Sequence, residues 1–418
     1  MDRVYVRPAL FYPSADRPQS RLTLIAATLA ALLLSPISAG ADPLQPEIMA
    51  AWNSLPYKVN DAAIAQRWKN SQIFGKALIQ GLKIDSRGNM YVTTARWGGP
   101  EIPATLSKLV KNGDTYELLP FPDEKLNDVA NPKGLKAVLG FEIDRNDVMW
   151  ILDQGHIAGQ PSAPGAEKLV LWDIKASKEI QRYEFPAEVA DKTCSFLNDI
   201  VVDNDSGFAY ITDSGIYCDP LHGGLIVYDM KANSARRVLD RTMFTNDDPG
   251  FFFNIDGRPV GKNAPMRTGA DGVALSGDKA TLYWTNLTGN RLYAIETALL
   301  QDPKVSETDL QHAVHVAALL PSNTDGMTAD RQGNVYMTAL QLDSIMKRDP
   351  QTGKVSRLAY HPEMVWPDTL AWSPDGSLYV VSNHLHVWVD EDMNFQNPPV
   401  PNFRIWRLPI KAEPYAKN

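Results

Sequence analysis

One short pattern recurs six times along this chain and limits the folds open to it more than any other feature. Each copy is a short apolar strand, a turn rich in Asp, Gly and Asn, and a second strand with an aromatic residue near its start. The copies are GLKIDSRGNMYVTTA from Gly81, GFEIDRNDVMWILD from Gly140 and DIVVDNDSGFAYITD from Asp199, then GVALSGDKATLYWTN from Gly272, GMTADRQGNVYMTA from Gly326 and TLAWSPDGSLYVVSN from Thr369. In register, the aromatic position is Tyr91, Trp150, Tyr210, Tyr283, Tyr336 and Tyr379. β-Branched and aromatic residues on both sides of turn-forming residues read as a hairpin. A third strand follows every copy, near Leu109 and from Leu169, Leu225, Arg291, Ser344 and Phe403. A fourth follows only the first five, from Tyr116, Ile180, Ala235, Val314 and Val355.

Four-stranded units repeated six times predict an all-β chain folded as a six-bladed β-propeller. The sixth unit runs out of chain at Leu408-Pro409, so its outer strand has to come from elsewhere, because an open edge invites aggregation. The segment Asn60 to Phe74 is free to supply it, and closure of the ring by that N-terminal segment is expected. The organisation read from the sequence is a leader and signal peptide over residues 1–41, then one propeller domain over 42–418. Its blade cores start near 81, 140, 199, 272, 326 and 369.

The signal reading rests on Leu22 to Leu34, an uncharged apolar run preceded by Arg17 and Arg21 and followed by Ser38-Ala39-Gly40-Ala41. That order of cationic flank, apolar run and small-residue cleavage site fits secretion, and the run is short for a membrane span, which needs ~20 apolar residues. A periplasmic or secreted protein with no stable span after cleavage is therefore expected. In an oxidising compartment Cys194 and Cys218, the two cysteines of the chain, can form a disulfide; both flank the same predicted strand pair. A net charge of −8 gives no pull toward nucleic acid.

Several stretches resemble the family of major royal jelly proteins and insect yellow proteins. They are FLNDIVVDNDSGFAYITDSG with GLIVYDMKANSARRVL (196–239), KGLKAVLGFEIDRNDVMWILDQG (133–155), WPDTLAWSPDGSLYVVSNHLHVW (366–388) and NFRIWR from Asn402. The resemblance runs from about Asn60 to Leu408. It implies a secreted six-bladed propeller that binds a small molecule, aromatic or quinone-like, in its central channel. Bacterial members are described as related to dopachrome tautomerase, so it also implies a tautomerase as one activity. The family supplies no catalytic residue set to carry over.

The residue just before each inner strand should face the channel: Gln80, Leu139, Asn198, Asp271, Asp325 and Asp368. Oxygen-bearing side chains brought together there would repel unless a proton or a cation sits among them. Oxygen donors suit calcium or another divalent cation. The register also resembles the senescence-marker/gluconolactonase family, in which a Glu, two Asn and an Asp hold a divalent metal; here those positions carry Gln80, Asn198, Asp271 and Asp325. That resemblance implies a metal-dependent lactonase as the alternative, with Asn198, Asp271 and Asp325 as metal ligands. In either enzyme reading Asp271 and Asp325 are the catalytic carboxylates. The competing reading makes Asp271-Gly272 and Asp325-Gly326 ordinary turn residues.

Gln80, Arg96, Trp97 and Asp368 are candidate ligand-binding residues, Arg96 and Trp97 as a clamp for an anionic or aromatic group. His384 and His386 read as two positions on one face of a strand. His156 and His222 are loop histidines, and Phe251-Phe252-Phe253 needs cover either over the channel or on a ligand. A non-enzymatic binding module remains open, since fold alone confers no chemistry. G-x-S-x-G, Walker, G-x-G-x-x-G and H-E-x-x-H motifs are all lacking, so no nucleotide cofactor is expected and serine-hydrolase and zincin mechanics are excluded. The partner expected is a small molecule, not nucleic acid, and the chain is read as a monomer.

Overall fold

The computed structural model describes residues 44–415, so the expected leader and signal peptide over 1–41 lies outside the described residues. Six four-stranded antiparallel sheets follow one another along the chain. Their inner strands are Leu82–Ile84, Val138–Ile143, Leu197–Asp203, Ala270–Leu275, Met327–Ala329 and Pro367–Trp372. Each inner strand packs against that of the next sheet, and the sixth packs against the first, which closes the ring. The protein is a six-bladed β-propeller.

The repeat has a direct physical basis in the turn of each hairpin. At the end of the inner strand, Asp85 accepts from the Arg87 and Asn89 backbone N–H groups and from the Tyr91 hydroxyl at 3.2 Å. Asp144 takes the Trp150 indole N–H at 3.0 Å, and Asp330 takes the Tyr336 hydroxyl at 2.8 Å. In blades 1, 2 and 5 the aromatic of the second strand therefore buries its ring and spends its polar tip on the turn carboxylate, whereas in blade 3 the Tyr210 hydroxyl accepts from Gln301 Nε2 at 2.8 Å. Blades 4 and 6 replace that Asp with Ser276 and Ser373, which bond instead to Asp278 and Asp375 in the turn.

The apolar core lies between neighbouring blades. Trp150, Leu169, Ile200 and Ile226 fill the space between blades 2 and 3, and Tyr210, Val227, Val273 and Trp284 that between blades 3 and 4. Nearer the axis, glycine sets the spacing. A β-carbon on Gly140 would lie 2.1 Å from the Asn198 carbonyl oxygen, one on Gly272 2.1 Å from that of Asp325, and one on Gly326 2.2 Å from that of Asp368. The blades meet backbone to backbone there, which only a residue without a side chain permits.

The ring is closed by an N-terminal strand, but not by the expected segment. Glu47–Trp52 pairs antiparallel with Phe403–Leu408, running from Glu47 opposite Arg407 to Trp52 opposite Phe403. The region Asn60 to Phe74 holds a helix instead, Ala62–Asn70, whose N-terminus is capped by the Asp61 carboxylate accepting from Ala63 and Ile64 N–H. An Asp followed by an alanine-rich stretch is a helix start. Trp52 is buried, and its indole N–H reaches the Tyr116 carbonyl of blade 1 at 3.1 Å, tying the closing strand to both sides of the seam.

Candidate functional site: the hub cavity

A cavity of about 540 Å³ opens on one face of the propeller, over the axis. Its floor is acidic. Leu139, Asn198, Asp271, Asp325 and Asp368, five of the six positions that precede the inner strands, line it together with Asp199. The sixth, Gln80, does not line it: its Oε1 accepts from the Ala95 N–H at 2.8 Å within its own blade. Asp368 is held by Asn383 Nδ2 at 2.7 Å and by the Thr369 hydroxyl at 3.0 Å, and Asp325 by the Trp366 indole N–H at 2.7 Å. Asn198 bonds the Ser214 hydroxyl at 3.1 Å.

Asp199 was not among the sequence candidates, although a signal for it exists. It stands at the register position filled by Gly81, Gly140, Gly272 and Gly326 in four other blades. A carboxylate in place of a spacing glycine puts an extra side chain at the hub, where it lines the cavity.

Burial pushes the hub carboxyls up: Asp271, Asp325 and Asp368 all lie well above the usual carboxylate range, first through loss of water and then through one another's charge. Asp199 rises to about 6, mainly by burial, opposed by Lys83 and reinforced by Glu142. Asp325 and Asp271 are coupled: the Asp271 charge helps hold Asp325 up, while a side-chain hydrogen bond between the two partly offsets the rise of Asp271. Each raised carboxyl binds its proton more tightly folded than unfolded. The stability this contributes is complete below the ordinary range near pH ~4 and is lost as pH rises through the folded value. Asp271→Asn is therefore expected to match the parent protein near pH ~4.5 and to exceed it in stability at pH ~8. Melting curves across that range check it; a gap that does not widen with pH refutes it.

The walls are aromatic. Trp97 lies 5.6 Å from Phe196 and 6.3 Å from Trp388, ring centre to ring centre; Phe196 lies 5.7 Å from Tyr217, and Tyr217 4.3 Å from His156. Cys194 and Cys218 form the expected disulfide, with Cα atoms 4.8 Å apart, and Tyr217 N–H donates to the Cys194 carbonyl at 3.3 Å. The bridge thus holds Tyr217 at the mouth beside Phe196. Gly215 (φ +61°) lets the loop turn there, since a β-carbon on it would lie 2.2 Å from the His222 carbonyl carbon.

Other candidates serve the scaffold. Arg96 does not line this cavity: its buried guanidinium spends four of its five N–H groups on the Ile102, Asn127, Leu135 and Lys136 carbonyls. His384 and His386 do not lie on a strand. His384 precedes the short helix Leu385–Val389 in the left-handed region, and His386 is buried and stacked on Trp366. His222 pairs with Asp240 at 3.0 Å. Phe253 is buried near Trp366, Phe251 stacks on it, and Phe252 is exposed beneath Arg267, so the triplet packs as cover. The later residues Met266, Arg267 and Thr268 of the same insertion reach the cavity.

Asn198, Asp271 and Asp325 offer one amide and two carboxyl groups to a hard cation. Asp271 Oδ1 is buried with no hydrogen-bond partner. Gln80 is not with them, and among the described residues no three His, Cys, Asp or Glu side chains converge closely enough to hold an ion.

A family model described as major royal jelly protein matches residues 137–416. The chain belongs to the major royal jelly protein family. Protein yellow of Drosophila madeirensis is 24% identical over 399 residues, covering 86% of this chain and 65% of yellow, and that of Drosophila simulans is 25% identical over 395 residues, covering 86% and 68%. The chain thus spans about two thirds of the length of these curated relatives. Among solved structures, the calcium-binding protein regucalcin from Agrobacterium tumefaciens aligns with a TM-score of 0.50 at 15% identity, covering 81% of this royal-jelly-family chain and 92% of regucalcin. A gluconolactonase from Xanthomonas campestris aligns with a TM-score of 0.48 at 14% identity, covering 88% and 99%. Regucalcin shares the fold. No helix among the described residues of this family member is long and apolar enough to cross a membrane.

Proposed function

We propose that this protein is an exported binding propeller whose hub cavity takes a small aromatic molecule carrying a cationic amine. The observation that carries this reading is the pairing of an acidic floor, Asp199, Asp271, Asp325 and Asp368, with the aromatic wall of Trp97, Phe196 and Tyr217 in one cavity. Carboxylates with little access to water favour a cation that completes their charge, and aromatic faces add stacking and cation–π attraction. Asp325 and Asp271, both lining the pocket and both raised by burial, would give it an acid and a base, the equipment for a tautomerisation of the dopachrome type. The leader over 1–41 and the Cys194–Cys218 bridge support export.

Calorimetric titration with tyramine tests the binding reading. Micromolar binding is expected, weakened at least tenfold in Trp97→Ala; no binding, or no preference for the amine over a neutral analogue of the same size, removes it. Loss of dopachrome turnover in Asp325→Asn with the fold intact supports the tautomerase, whereas binding without turnover in the parent protein leaves a carrier or interaction module.

A second reading, the metal-dependent lactonase, is favoured by the donor set of Asn198, Asp271 and Asp325. A divalent cation held there would supply a Lewis acid for a lactone carbonyl. Stoichiometric calcium in the purified protein, lost in Asp271→Ala, supports it, and its absence together with no calcium-dependent rise in melting temperature removes it.

A further inference from the structure

The hub cavity occupies one end of the propeller axis. At the other end, where the inner strands reach their hairpin turns, the segment Ile410–Tyr415 crosses from blade to blade. The Ala412 N–H donates to the Gly376 carbonyl of blade 6 at 3.0 Å, the Arg331 N–H of blade 5 donates to the Glu413 carbonyl at 2.8 Å, and Pro414 bridges Asp330. Gly376 (φ +79°) makes room for the crossing, since a β-carbon on it would lie 2.6 Å from the Ala412 carbonyl oxygen. Tyr415 then turns inward. It is 3% exposed and belongs to the apolar cluster of Val201 and Leu275, on the inner strands of blades 3 and 4. A small cavity of about 90 Å³ beside it is lined by Lys83, Glu142, Thr328 and Ala371, on the inner strands of blades 1, 2, 5 and 6. Inner strands of all six blades thus surround one tyrosine, which puts its ring on the axis.

An ion pair stands between that ring and the hub floor. Lys83 Nζ lies 3.0 Å from Glu142 Oε2, and the two side chains are only 13% and 11% exposed. Glu142 is within electrostatic reach of Asp199 on the cavity side and of Tyr415 on the other. A paired charge this little hydrated is stable only while water and competing ions are kept away. We propose that Ile410–Tyr415 is a strap that seals the far mouth of the axial channel, with Tyr415 as its stopper, so that the hub cavity is a blind pocket filled and emptied through its aromatic mouth alone. Release of the strap opens a second route along the axis, past Lys83 and Glu142. The strap can lift without unfolding a blade, because it is held by isolated backbone bonds and by the exposed Arg331–Glu413 pair at 3.4 Å, not by a strand ladder. The seal holds whichever small molecule the cavity takes.

The test uses the Lys83 amine as reporter and acetylation by sulfosuccinimidyl acetate, read peptide by peptide by mass spectrometry, as probe. In the parent protein Lys83 should react far more slowly than the exposed Lys69. In Tyr415→Ala its rate should rise about tenfold or more, since labelling no longer waits on local opening, while Lys69 is unchanged. Tyr415→Phe keeps the ring and should stay as protected as the parent. A chain ending at Lys411 should label like Tyr415→Ala, and a peptide of residues 409–415 added to it should restore protection. Lys168, buried in blade 2 at the third strand, is the control for general unfolding. The seal is overturned if Lys83 reacts as fast as Lys69 in the parent protein, or stays protected in a folded Tyr415→Ala protein. It is equally overturned if Lys83 becomes reactive only together with Lys168. Should the shortened chain not fold, the Tyr415→Ala and Tyr415→Phe pair decides alone.

Discussion

A chain that begins at Asn53, without the strand Glu47–Trp52, is expected to lose its folded monomer. Phe403–Leu408 would then become an open edge, with five residue pairs of the ladder and the Glu47–Arg407 ion pair at 2.8 Å removed together. Trp52 is also lost from the core beside Phe403 and Ile405. Removing that one side chain, as in Trp52→Ala, should cost about 3 kcal/mol by itself. The consequence is larger than for an outer strand of another blade, because this strand fastens the last blade to the beginning of the chain, and its indole reaches Tyr116 in blade 1. Size-exclusion chromatography should show aggregate in place of monomer. A synthetic peptide spanning residues 44–55, added during refolding, should restore the monomer. A truncated chain that stays monomeric with an unchanged melting temperature would show that the seam is not held by this strand.

Gly272→Ala is the second large effect expected. The new methyl group would sit 2.1 Å from the Asp325 carbonyl oxygen, and the atom in its way is backbone, which cannot swing aside as a side-chain tip does. Blades 4 and 5 must separate at the axis. A loss of about 3 kcal/mol or more is expected, at the upper end of overpacking penalties. Because Asp271 and Asp325 flank the contact, amine binding should fall with stability. Gly250→Ala is the control: there a β-carbon meets its nearest atom, Asp248 Oδ1, at 3.5 Å. Equal melting temperatures for the two variants would contradict the close approach.

Much of the architecture was legible because it is local and periodic. Inner, second, third and outer strands fall where the sixfold pattern puts them, since each hairpin carries its own instructions: an Asp or Ser at the turn, an aromatic six or seven residues later and apolar positions on both strands. The channel-facing residues were legible for the same reason, since five of the six positions before the inner strands line one cavity. The closing strand is not legible because Glu47–Trp52 has no repeat partner in sequence, whereas Asn60 to Phe74 carries a helix cap at Asp61 that commits it to a helix. Arg96 read as a clamp because an arginine beside a tryptophan suits one; four backbone carbonyls from distant positions claim it instead.

By itself, the sequence determined the number of blades, the strands within each, and five of the positions that line the hub, because those depend on spacing within a repeat. Only the tertiary structure decided which of them meet. Gln80 turns into its own blade, Asp199 joins the floor through a missing glycine, and Trp97, Phe196, Tyr217 and His156 converge from four separate loops. Such meetings depend on the curvature of the closed ring and on close contact between neighbouring blades, and neither is encoded in a stretch short enough to be read by its pattern.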